Sequence, residues 1–138
     1  MMQPILFIDT GAFLALEDES DKHHHEALHF RNEIIRKKYY KIITTSYVLD
    51  EILTLIRVRI TISASIDFCR KIRSSNVVTI HSITEEDERI AMDMFEQYDD
   101  KTFSFTDCTS FVVMRKMGIS EVFGFDRHFE QMRFTLRP

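Results

Sequence analysis

Residues that interrupt or loosen a chain are scarce in this sequence. Three Gly and two Pro in 138 residues leave no stretch able to act as a flexible linker, so one domain spanning residues 1–138 is expected. Cysteine is nearly as rare. Cys69 and Cys108 stand far apart and outside any CxxC pattern, which excludes a disulfide framework and predicts free thiols in a reducing cytoplasm. No apolar run approaches the roughly 18 residues a membrane span needs. The stretch MMQPILFID lacks a basic segment and a small-residue cleavage site, so no secretory signal is expected. Positive charge is in deficit, with 18 Lys and Arg against 22 Asp and Glu. A net charge of −4 means the surface as a whole does not attract nucleic acid, and any action on a polyanion must use metal ions and local basic clusters.

What is present is the material of a globular protein, 44% apolar and 29% charged, long enough to bury a proper core. PILFI (4–8) is a continuous apolar run, the mark of a strand buried on both faces. Residues 12–18 and 21–38 read as helical, and KIITTS (41–46) reads as a second strand. SYVLDEILTLIRVR (46–59) is a helix with Ser46 as its expected N-cap. A helix over 61–74 and an alternating strand VVTIHSI (77–83) follow. TEEDERIAMDMFEQY (84–98) opens with Thr84 and Asp87 in capping-box spacing. Thr106–Met117 is helical and should stop at Gly118. EVFGFD (121–126) is the next strand and FTLR (134–137) a short last one. Strands separated by helices indicate an α/β fold, with a mainly parallel sheet covered on both faces. Such sheets place ligands beyond the carboxyl ends of their strands.

FIDTGAF (7–13) carries the first chemical question. Asp-Thr-Gly is the nucleophile triplet of aspartic proteases, an Asp after a buried strand opens phosphotransfer domains, and the same arrangement supplies a carboxylate to Mg²⁺-dependent nucleases. An aspartic protease is almost wholly β, whereas most of this chain has helical periodicity. A dehalogenase-like phosphotransfer site wants a second Asp two residues on, where Gly11 stands. A receiver domain wants an upstream acidic pair and a late Lys, and neither is evident.

The acids themselves point to the third reading. Asp9 and Asp126 each end a parallel strand, so both belong on one rim, and Asp107, in the first turn of its helix, opens onto that rim. Alone, Asp107 would read as a stabiliser of the helix dipole. In helix 46–59 the apolar face is Val48, Leu49, Ile52, Leu55 and Ile56. Glu51 falls roughly 110° from its centre and Asp50 roughly 150°, which puts Glu51 at the border of the buried face and Asp50 toward water. Converging carboxylates repel one another and are costly to bury. A hard divalent cation, Mg²⁺ or Mn²⁺, resolves that repulsion and also binds phosphate oxygens, which points to metal-assisted phosphoryl chemistry.

Together FIDTGAF, the acid in SYVLDEILTLI, SFTDCTSFVVM and FGFDRHFEQMRF resemble the PIN-domain ribonucleases, most closely the small VapC-like toxins of toxin–antitoxin systems. DKHHHEA (21–27) is similar to the Asp-x-x-His-x-x-Ala-type stretch that often follows their first strand. The resemblance covers residues 5–136 or so and rests on four motifs in order. It implies a three-layer α/β/α sandwich and an endoribonuclease using Mg²⁺ or Mn²⁺. It implies metal-binding acids at Asp9, Glu51, Asp107 and Asp126, with an accompanying hydroxyl from Thr10, Ser104 or Thr106. It also implies a homodimer and neutralisation by a cognate antitoxin protein. The bulky Phe residues flanking Asp126 depart from the family pattern in a way that would narrow the cleft. A non-catalytic RNA- or protein-binding module of the same fold, and a housekeeping RNA-processing nuclease, are the alternatives. The presence of all four acids favours catalysis, and the small size favours the toxin.

Four basic residues are candidates for RNA contact: Arg57 and Arg59 beyond Glu51, and Arg127 and His128 beside Asp126. Each also fits a solvated face or an ion pair. The run His23–His25 reads as the polar start of a helix, because consecutive residues on a helix face different ways and do not converge on one metal. Asp99 and Asp100 read as a turn, and the Met and Phe residues as core.

Overall fold

The computed structural model describes residues 4–37 and 41–138. Five strands form one parallel sheet: β1 (Ile5–Ile8), β2 (Lys41–Thr45), β3 (Val78–His81), β4 (Glu121–Phe123) and β5 (Thr135–Arg137). Their order is β3-β2-β1-β4-β5. The apolar run of β1 takes the centre, paired with β2 on one side and β4 on the other, in a register that sets Phe7 beside Ile43 and Val122.

Among the described residues, seven helices connect the strands: α1 (Thr10–Glu17), α2 (His24–Lys37), α3 (Ser46–Arg59), α4 (Ile62–Arg73), α5 (Glu85–Gln97), α6 (Phe105–Met117) and α7 (His128–Gln131). Both sheet faces are covered, as parallel strands require. Phe30 of α2 packs edge-on against Phe123 on one face. Phe7, pointing the other way, meets Phe129, which in turn meets Phe111 of α6. The helix α6 is buried from Asp107 to Met114, so its few polar groups must find partners inside the fold. The result is the expected three-layer α/β/α sandwich. Among the described residues, no helix is long and apolar enough to cross a membrane.

Local signals act as their chemistry dictates. The Thr84–Asp87 capping box opens α5, and Gly118 adopts the left-handed conformation (φ 68°) that ends α6. Two expectations need correction. The N-cap of α3 is Thr45, whose hydroxyl accepts from the Val48 N–H at 3.1 Å. The Ser46 hydroxyl instead accepts from the Ile83 N–H, tying α3 to the segment that follows β3. β4 stops at Phe123 rather than at Asp126, because the chain turns there into α7, a helix the sequence reading missed. Lys38, the expected end of the second helix, lies outside the described residues.

Candidate active site

Asp9 follows β1 directly, and its N–H donates to the Phe123 carbonyl of β4 at 3.1 Å. That bond continues the ladder by one residue and brings the backbone of Gly124 against the acid. A Cβ at Gly124 would lie 3.4 Å from the Asp9 Cβ. Asp9 is buried, only 5% exposed. Burial first, and then the nearby charges of Asp107, Glu51 and Asp126, push its carboxyl up to about 8, against a lowering hydrogen bond from the Thr10 backbone. The charges of the other three acids singled out in the sequence therefore reach Asp9. Glu51 is half-buried and Asp50 exposed, as the helical arithmetic required.

Asp107 is the third residue of α6 and closes a capping box. The Ser104 N–H donates to its Oδ2 at 3.0 Å, and the Asp107 N–H donates to the Ser104 hydroxyl at 2.9 Å. The same Oδ2 lies 2.9 Å from His128 Nδ1. His128 Nδ1 is also 3.3 Å from Asp126 Oδ1, while its Nε2 meets the Thr102 hydroxyl at 3.1 Å. The imidazole thus links the helix acid to the acid after β4. It stands edge-on to Phe103, with centroids 5.2 Å apart. A tight turn produces this placement, since Asp126 Oδ1 accepts from the His128 N–H at 2.9 Å. One ligand atom each from Asp107, Asp126 and His128 fall within 4.8 Å of one another.

The three hydroxyl candidates separate clearly. Ser104 is committed to the α6 cap. Thr106 is half-buried, and its carbonyl accepts from the Thr109 hydroxyl. Thr10 is buried next to Asp9, and its Oγ1 has no partner among the described residues. A buried carboxyl forced to hold its proton, beside three more acids and an orphaned hydroxyl, is short of positive charge. This oxygen-rich set fits a hard divalent cation.

The basic candidates divide as well. Arg127 is exposed beside Asp126. Arg57 and Arg59 are exposed in the last turn of α3, and the charge of Arg59 acts on Asp18 at the far end of α1 from Asp9. His128 joins the acids themselves, a position that Asp-x-His after a strand could have signalled. The Cys108 thiol, next to Asp107 in sequence, is pushed up to about 11 by burial and then by the Asp107 charge, which leaves it inert. Cys108 and Cys69 are both free.

Of the flanking motifs, Asp21, His24 and Ala27 have structural work. Asp21 Oδ1 accepts from the His23 N–H at 2.8 Å, His24 Nδ1 bonds to the Ala15 carbonyl at 2.7 Å, and Ala27 is fully buried. Together they fix the start of α2 against α1. His23 precedes the helix and stacks face to face on Phe125, a contact that the sequence reading did not anticipate.

Comparison with known proteins places this arrangement. The family model of the PIN domain matches residues 6–135. The 23S rRNA-specific endonuclease VapC20 of Mycobacterium tuberculosis is 33% identical over 135 residues, covering 97% of this chain and 99% of that protein. Its crystal structure, described as that of a sarcin-ricin loop cleaving toxin, superposes with a TM-score of 0.85, covering 94% of this chain and 96% of that one. A VapC ribonuclease of Archaeoglobus fulgidus is 29% identical over 123 residues, 88% of this chain and 77% of that protein. The VapBC2 complex of Rickettsia felis shares the fold at 10% identity, with a TM-score of 0.66, covering 96% of this chain and 97% of that one.

Proposed function

The chain belongs to the PIN domain family, and from that premise we propose that it is a Mg²⁺- or Mn²⁺-dependent endoribonuclease, the toxin of a type II toxin–antitoxin pair. The observation that carries the reading is the buried Asp9, driven up to about 8 by burial and by three neighbouring acids. A structural acid in that position would have a cationic partner, whereas the charges that reach this one are Asp107, Glu51 and Asp126, all negative. Asp9, Glu51, Asp107 and Asp126 would hold the ion, with Thr10 as the accompanying hydroxyl. When bound, the ion supplies charge compensation for the phosphodiester and for the oxygen that departs from phosphorus.

The chain's own residues do the rest. Ser104 and His128 fix the orientation of Asp107 from two sides. A carboxylate held this way loses little entropy on receiving its ligand, which is the usual task of groups behind a metal site. Arg127, exposed beside Asp126, is positioned to neutralise a backbone phosphate of the RNA. A cytoplasmic homodimer held in check by a cognate antitoxin protein completes the proposal.

The test is direct. Purified protein should cleave RNA in Mg²⁺ or Mn²⁺ and stop on addition of EDTA. Asp107→Asn and Asp126→Asn should lose cleavage while keeping the parent's circular dichroism. If both variants cleave as well as the parent, the site is wrongly assigned. If the parent binds RNA without cleaving it in either metal, the non-catalytic module is the correct alternative.

A further inference from the structure

Beside the acids stands a pair of rings that the mechanism above does not use. His23 and Phe125 lie face to face, centroids 4.1 Å apart and planes within 1°. Phe125 sits between Gly124, whose backbone touches Asp9, and Asp126. His23 comes from the turn before α2. Its position is firmly set: its N–H donates to Asp21 Oδ1 at 2.8 Å, and its ring Nδ1 meets Glu26 Oε1 at 3.2 Å. Phe125 is half-buried, and Phe123 packs edge-on against it at 6.4 Å. Phe125 covers one face of the imidazole, yet the His23 side chain stays 33% exposed.

We propose that the His23–Phe125 stack is a nucleobase platform, on which an unpaired base next to the scissile phosphate lies against the open side of His23. The inference rests on the ribonuclease reading and adds to it the two residues that would hold a base beside the acids. Three considerations favour a base as occupant. The rim is acidic, so a phosphate gains little there without a cation, whereas a base is uncharged and attaches by dispersion and stacking. One ring nitrogen is engaged by Glu26, so recognition runs through the flat face, which every base can meet. The rings are already parallel and held, so little order is lost on binding. A base paired within an A-form duplex has both faces occupied and cannot use the platform.

The experiment uses the full chain with Mn²⁺ and a fluorescently labelled 20-nucleotide single-stranded RNA of mixed sequence. The cleavage point is mapped with the parent protein, and abasic versions are then made on either side of it. Stacking on one base is worth about 5- to 150-fold in affinity. His23→Ala and Phe125→Leu should raise KM within that range while kcat and the Mn²⁺ affinity measured by calorimetry stay near the parent's, the pattern of lost uniform binding. His23→Phe should restore KM. The abasic RNA should weaken the parent by a similar factor and the His23→Ala variant little further, and the same sequence annealed to its complement should be a poor substrate. Unchanged KM in both ring variants would show that the stack is internal packing and overturn the platform alone. So would a His23→Phe variant as defective as His23→Ala, since the polar atoms rather than the face would then matter. A parent that cleaves no RNA would sink the ribonuclease reading and the platform together.

Discussion

Replacing Asp9 by Asn should stabilise the metal-free protein, and should do so increasingly as pH rises. The carboxyl of Asp9 ionises near 8 in the fold against an ordinary 3.8. Above pH 4 the unfolded chain releases this proton while the folded chain keeps it. The folded state therefore binds more protons, and its stability falls as pH rises from about 4 through about 8, levelling off beyond. Each pH unit in that window is worth about 1.4 kcal/mol, so the full swing has an upper limit of about 5–6 kcal/mol. Side-chain relaxation and water entry at the rim reduce it, and about half is a reasonable expectation. Asn keeps the size of the buried group and removes the charge. The variant should then exceed the parent by about 2–4 kcal/mol at pH 9 and by less than about 1 kcal/mol at pH 5. For a chain of this length that is roughly 6–15 °C in melting temperature at pH 9. The assay is a thermal melt in EDTA, parent against Asp9→Asn, at pH 5, 7 and 9. Saturating Mn²⁺ at pH 7 should then erase or reverse the difference, because the ion stabilises the parent by mass action and binds the variant poorly. A variant less stable than the parent in EDTA at pH 9, or a gap that does not change with pH, would refute the claim that Asp9 is a buried acid awaiting a cation.

Further outcomes follow from the groups around it. His128→Ala removes the imidazole shared by Asp107 and Asp126 and should weaken Mn²⁺ binding by about 10- to 100-fold in calorimetry. Thr102→Ala, one contact further out, should have a smaller effect in the same direction. Away from the site, burial opposes ionisation of Asp87, yet hydrogen bonds from Lys116, His81 and Thr84 outweigh it and hold its carboxyl far below the usual range. Its contribution is present above about pH 4 and is lost as the medium is made more acidic. Asp87→Asn should cost about 2–3 kcal/mol in urea unfolding at pH 7, without changing the Mn²⁺ affinity of the acids at the other end of α6.

The placements in the candidate site that sequence made legible are those fixed by a residue's position in its own element. Asp9 was readable because a buried strand must end before a polar group can follow it. Glu51 was readable because 100° per residue separates it from Asp50. Asp107 was readable because a capping box has fixed spacing, although that spacing alone could not tell a cap from a ligand, and in the fold the residue makes the cap with one oxygen. What stayed illegible depended on where a local element stopped. β4 ends three residues before Asp126, not at it, and the difference has chemical consequences. A strand running through Asp126 would point Arg127 and His128 to opposite faces and leave both as candidate phosphate contacts. A turn at Asp126 instead folds His128 back onto Asp107, so the histidine read as a contact for RNA stands among the acids, and Arg127 alone keeps the outward role. The same early end releases Phe125 from the sheet and lets its ring lie flat against His23. No periodicity or motif links those two residues, since one belongs to the entry of α2 and the other to the exit of β4. Their meeting is a property of strand order, with β1 between β2 and β4, and that order brings the start of α2 to the same rim as the acids. The Phe residues that flank Asp126 therefore change meaning. Phe123 is core, packed on Phe30, Phe129 is core between Phe7 and Phe111, and Phe125 is half-buried with its ring free to lie on His23.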